Sequence, residues 1–116
     1  MAQKLSFYCE LPTIFELMER YGERLEDMNF NSLLTFRAVV DLFVLYYSRE
    51  LAGSVEQNFD LAVENCYPDW GMEDQEAYTL CRAFCLEEVD GNYTAIHSLN
   101  PVLKGLADVV HCHPDY

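Results

Sequence analysis

The sequence predicts a mainly α fold, a compact bundle of about five helices with one short β-hairpin near residues 86–97. Three observations lead there. Apolar residues return every three to four positions over long stretches, the signature of one buried helix face. Thr13-Ile14-Phe15-Glu16 and Ser54-Val55-Glu56-Gln57 read as capping boxes at helix starts. Asp90-Gly91 is a dipeptide favoured in tight hairpin turns.

The first helix is expected to open near Thr13, behind Pro12, with Ile14, Met18, Tyr21 and Leu25 as its apolar stripe. Its other face mixes Glu16, Glu19, Arg20, Glu23 and Arg24, the ordinary pattern of a solvated surface. A second helix follows Asn31-Ser32 and runs to about Ala52, with Leu33, Phe36, Val40, Phe43, Tyr47 and Leu51 along one side and further apolar residues widening the face. Such a helix is expected at the centre of the bundle, with Arg37 and Asp41 paired on its narrow polar edge and Gly53 ending it.

The third helix buries Val55, Phe59, Ala62, Val63 and Cys66, while Glu56, Asp60 and Glu64 recur every four residues on the opposite side. Pro68 closes it, and residues 69–76 read as an acidic loop into a fourth helix with Ala77, Leu80, Cys81, Phe84 and Cys85 on its stripe. Residues 86–89 and 93–97 are expected to pair as a ribbon, and Asn100-Pro101 reads as the start of the last helix, with the tail 111–116 irregular. With no repeat and no linker, residues 1–116 are expected to form one domain.

Charge is the unusual quantity. Seven Lys and Arg stand against twenty Asp and Glu, a formal −13 with His neutral. Residues 1–50 carry a net −3 and residues 51–116 a net −10. Such a field repels nucleic acid and anionic membranes and attracts basic surfaces over a Debye length of about 8–10 Å. Direct binding to nucleic acid or membrane is therefore not expected. The longest apolar run, residues 38–47, contains Asp41 and is too short to cross a bilayer of about 30 Å. Five cysteines, an odd number, behind an N-terminus without an apolar signal core point to a reducing cytoplasm.

Zinc-competent side chains are present in Cys81, Cys85, His111, Cys112 and His113, but Cys81 and Cys85 fall on a buried helical stripe, where Cys acts as a small hydrophobe. No metal and no cofactor is expected. A cysteine nucleophile needs an electropositive setting that an acidic chain does not offer, and His97, the best lone base, has no triad spacing around it. Glycine phosphate loops, HExxH and dinucleotide fingerprints are missing, so an enzyme is not expected.

From residue 73 to 110 the order of helix, hairpin and Asn-Pro-capped helix is similar to the end of a winged-helix domain. A DNA-binding version places Lys and Arg on its recognition helix, whereas here Arg82 stands among Glu73, Asp74, Glu76, Glu87 and Glu88. The resemblance implies a shape and not DNA binding.

The acidic set Glu56, Asp60 and Glu64, continued through Asp69, Glu73, Asp74 and Glu76, is spaced at roughly 6 Å along a helix face, of the same order as phosphates on a nucleic-acid strand. In length, charge and helicity the chain resembles the small acidic inhibitors that phages make against CRISPR complexes and other bacterial nucleases. That resemblance implies a stoichiometric inhibitor, in the cytoplasm of the host, that binds a basic nucleic-acid-binding protein or ribonucleoprotein as a nucleic-acid mimic. The contact residues expected are Glu56, Asp60, Glu64, Asp69, Trp70, Glu73, Asp74 and Glu76, with Tyr67 and Trp70 as apolar anchors. Two other readings remain at this level. One is an immunity or antitoxin type of protein that blocks a basic nuclease. The other is a helical adaptor using an apolar patch at Tyr46, Tyr47 or Tyr78.

Overall fold

The computed structural model describes residues 12–89 and 95–116 with Lys4 and Ser6, excepting the side chains of residues 87–89 and 95–100. The helices are α1 (Pro12–Tyr21), α2 (Phe30–Ser48), α3 (Val55–Cys66), the single turn α4 (Trp70–Glu73), α5 (Gln75–Val89) and α6 (Ala95–His111).

α1 starts at Pro12, whose missing N–H costs nothing at a first helical position, so Thr13 is buried in the first turn instead of capping it. It stops four residues earlier than the stripe suggests because Gly22 takes φ +96°, and a Cβ there would strike the Glu26 carboxylate folded over it. Glu26 in turn accepts the Arg24 backbone N–H at 2.9 Å. Leu25 remains buried, but from a loop, with φ +55°.

Asn29 caps α2, its side-chain oxygen accepting the N–H groups of Asn31 and Ser32 at 2.9 and 3.3 Å. The helix ends at Ser48, not near Gly53. Leu51 N–H reaches the Tyr46 carbonyl and Glu50 N–H the Tyr47 carbonyl, both at 3.1 Å, which is a Schellman closure. Glu50, at φ +52°, occupies the left-handed position usually given to glycine. The expected Arg37–Asp41 pair does not form; both side chains are exposed and unpaired with each other. α2 is central as expected, packing against α3, α5 and α6. At 19 residues it is long and apolar enough to cross a membrane by length and composition, yet its Leu33, Phe36, Val40 and Phe43 edge is in the protein core.

The core is joined by aromatic rings. Phe84 stacks on Phe36 at 6.5 Å, Phe36 meets Trp70 edge-on at 6.3 Å, Trp70 meets Tyr78 at 6.0 Å, and Tyr78 meets Phe59 at 5.8 Å. Cys81 and Cys85 sit fully buried on the same α5 face as Leu80 and Phe84.

The β-hairpin expected near residues 86–97 is not formed, and the winged-helix likeness falls with it. Residues 86–89 are the last turn of α5 and residues 95–97 the first turn of α6; no strand occurs among the described residues, and residues 90–94 lie outside them. Leu86, Glu87, Glu88 and Ala95 are strong helix formers, and a brief alternation of side-chain types does not outweigh that preference. Asn100-Pro101 is accordingly no helix start: Pro101 lies inside α6, where its missing N–H leaves the His97 carbonyl without an i−4 donor.

The tail is ordered by His113. Its Nδ1 accepts the Asp115 backbone N–H at 3.0 Å, so Nε2 carries the proton and donates to the Met28 carbonyl at 2.8 Å. The buried ring lies 5.1 Å from Phe30.

Candidate acidic interface

Ser54 caps α3, its hydroxyl accepting the Gln57 N–H at 3.1 Å, as the capping box requires. One turn on, buried Asn58 accepts the Ala52 N–H at 3.1 Å and donates to the Ser54 carbonyl at 2.8 Å, so the connection from α2 is fastened to the helix it feeds. Phe59, Ala62 and Val63 are thereby turned inward, and Glu56, Asp60 and Glu64 stand exposed on the outer face. Asp69 and Glu73 continue the exposed carboxylates past Pro68. Tyr67 lies beside Glu73, and the hydrogen bond to that carboxylate holds the phenol above its ordinary pKa.

Three members of the expected contact set are committed elsewhere. Trp70 is 1 % exposed, part of the core and not an anchor for a partner. Its indole N–H donates to Ser32 Oγ at 3.3 Å, and that hydroxyl donates to Asp74 Oδ2 at 2.5 Å. The other oxygen of Asp74 accepts the Ala77 N–H at 3.2 Å and so caps α5. What the sequence presents as an acidic loop is therefore a buried Trp, a helix cap and one turn of helix. Glu76 is drawn to the first helix, pairing with Arg20 at 2.8 Å. Burial and then the Glu76 charge raise the Tyr21 pKa. The surviving exposed set is Glu56, Asp60, Glu64, Asp69 and Glu73.

No known family, curated protein or solved structure matches this chain. The site thus rests on its own geometry.

An apolar element that sequence reasoning missed borders the acidic row. Asp60, Val63, Glu64, Pro68, Met72 and Tyr78 line an open groove of about 590 Å³ between α3, α4 and α5. Met72 is 88 % exposed. α4 is too short to show a periodic pattern, so only its flanking Pro68 and the buried Trp70 could have signalled which way Met72 faces. Of the tyrosines named for an apolar patch, all are half-buried: Tyr46 accepts a hydrogen bond from Asn65 at 3.2 Å, Tyr47 stacks on Phe43 at 5.9 Å, and Tyr78 packs on the core while lining this groove.

Among the described residues no three His, Cys, Asp or Glu side chains are placed to hold a metal. His113 has both nitrogens engaged, and His111 packs on Tyr116 at 4.7 Å. Burial pushes the Cys81 thiol well above its ordinary value, with the neighbouring Cys85 adding to it, opposite to the direction that makes a thiolate nucleophile. The side chain of His97 lies outside the described residues.

Proposed function

We propose that this protein is a stoichiometric inhibitor that binds the basic nucleic-acid-binding surface of a bacterial defence effector, of the CRISPR or restriction type, through α3 and the segment 69–73. The observation that carries the reading is the row of exposed carboxylates Glu56, Asp60 and Glu64, extended by Asp69 and Glu73, with no basic residue in positions 50–81. Neighbouring charges on such a row lie within one Debye length of each other, so their fields add at a facing groove built for phosphates.

The test is DNA binding by a panel of purified CRISPR ribonucleoproteins and restriction nucleases, followed by fluorescence anisotropy with this protein as competitor. At least one effector should lose DNA at one-to-one stoichiometry, and the variant Glu56→Gln, Asp60→Asn, Glu64→Gln should restore DNA binding while keeping its helical circular dichroism. An equally potent triple variant would remove the charge-mimic mechanism.

A second reading, an immunity type of protein that blocks a nuclease by specific side-chain contacts, is favoured by Met72 in the acid-rimmed groove. Met72→Ala separates the two. It leaves a charge mimic nearly unaffected and weakens a side-chain-specific inhibitor by about tenfold or more.

A further inference from the structure

α2 presents two faces. Leu33, Phe36, Val40 and Phe43 are buried, while Leu34, Arg37, Asp41 and Leu45 are exposed at i, i+3, i+7 and i+11, with half-buried Ala38 between them. Leu34 is 38 % and Leu45 45 % exposed, at the two ends of this stripe. Beside this stripe Leu34, Arg37, Ala38 and Asp41 of α2, with Leu103 and Ala107 of α6, line a groove of about 470 Å³. Its lining carries one positive and one negative charge, and is therefore neutral in a chain of net −13. Arg37 and Asp41, one turn apart, make no ion pair with each other.

We infer that this face is the interface of a homodimer in which α2 crosses α2 of a second copy antiparallel about a two-fold axis. Charge chooses the occupant: a second copy brings thirteen net negative charges of its own, and this face offers it a balanced pair instead of more carboxylates. The spacing chooses the geometry. Position 39 is midway between Arg37 and Asp41, and within half a residue it is also midway between Leu34 and Leu45. An isologous contact centred there joins Arg37 to Asp41 of the second copy, and the reciprocal pair forms by symmetry. The same axis sets Leu34 against Leu45 of the second copy. Ala38 near the crossing lets the helices approach to the roughly 8–10 Å of packed helices, and the groove against Leu103 and Ala107 receives the incoming leucine. None of Glu56, Asp60 and Glu64 lines this groove, so the inference stands apart from the proposed function.

Sedimentation equilibrium of the full chain across the micromolar range tests it. The expected mass is twice 13.5 kDa. Asp41→Arg sets two arginines against two arginines and should weaken the dimer by about tenfold or more, giving the monomer mass at unchanged circular dichroism. Combining it with Arg37→Asp rebuilds both pairs with reversed sign and should restore the dimer. Should Asp41→Arg fail to fold, Arg37→Glu supplies the same repulsion. A wild-type chain that stays monomeric overturns the inference, and so does a dimer that survives both the folded charge variant and the pair Leu34→Ala, Leu45→Ala.

Discussion

Replacing Ser32 by Ala removes a hydroxyl on which two distant parts of the chain converge. Ser32 Oγ donates to Asp74 Oδ2 at 2.5 Å and accepts the Trp70 indole N–H at 3.3 Å. The hydroxyl-carboxylate bond is charge-assisted and worth about 1.5–3 kcal/mol. The longer indole bond contributes about 0.5–1 kcal/mol, and losing it leaves a buried N–H without a partner. Alanine returns roughly 0.5 kcal/mol through its higher helix propensity. The balance is a loss of about 2–3 kcal/mol, or a Tm lower by roughly 8–12 °C for a chain of this length. The protein has one tryptophan, so its fluorescence in a urea titration reports on this site directly. Asp74→Asn keeps the acceptor that caps α5, and a double-mutant cycle with it should return a coupling of about 1 kcal/mol or more. A Ser32→Ala cost under about 0.5 kcal/mol would refute the reasoning that this network fixes α4, and with it the placement of Met72 and Glu73.

Glu50→Gly should stabilise the protein by about 0.5–1 kcal/mol, because relief of left-handed backbone at about 1–2 kcal/mol exceeds the entropy that glycine adds to the unfolded chain; a higher urea midpoint at constant m checks it. Pro101→Ala should raise stability by about 1–3 kcal/mol, since it restores an N–H to the interior of α6, whereas a helix that truly began at Asn100 would be unaffected or weakened. Tyr21 has its pKa raised first by burial and then by Glu76, so the native state holds that proton more tightly than the unfolded chain. Its contribution is complete below the ordinary phenol value of about 10 and is lost as pH rises beyond it, so urea midpoints should fall in alkali, less steeply in Tyr21→Phe.

The helices and most of their buried faces were legible because they follow from spacing alone: Leu33, Phe36, Val40 and Phe43 on α2, and Phe59, Ala62 and Val63 on α3, all turn inward as their periodicity requires. The Ser54 cap was legible for the same local reason. What failed depends on contacts remote in sequence. Nothing near Glu76 announces Arg20, 56 positions earlier, and nothing near Asp74 announces Ser32, so two carboxylates that look alike in sequence have different tasks in the fold. Trp70 looked like an interface residue because it stands among acids, but its indole N–H finds a partner only once α2 is beside it. The hairpin was misread because Leu86, Glu87 and Glu88 on one side and Ala95 on the other prefer helix, and a few alternating side chains do not outweigh that. Glu50 in a glycine's place and Pro101 within a helix are local rules overridden by the packing around them.

In an inhibitor of this kind the exposed carboxylates of α3 make the contact with the basic surface. The most direct measurement is the affinity of the wild-type chain and of Glu56→Gln, Asp60→Asn, Glu64→Gln for the effector that loses DNA in the panel, taken from low to physiological salt. The wild-type affinity should fall by about tenfold or more over that range, while the triple variant binds weakly with a nearly flat salt dependence. Parallel salt curves of equal affinity for the two proteins would contradict it.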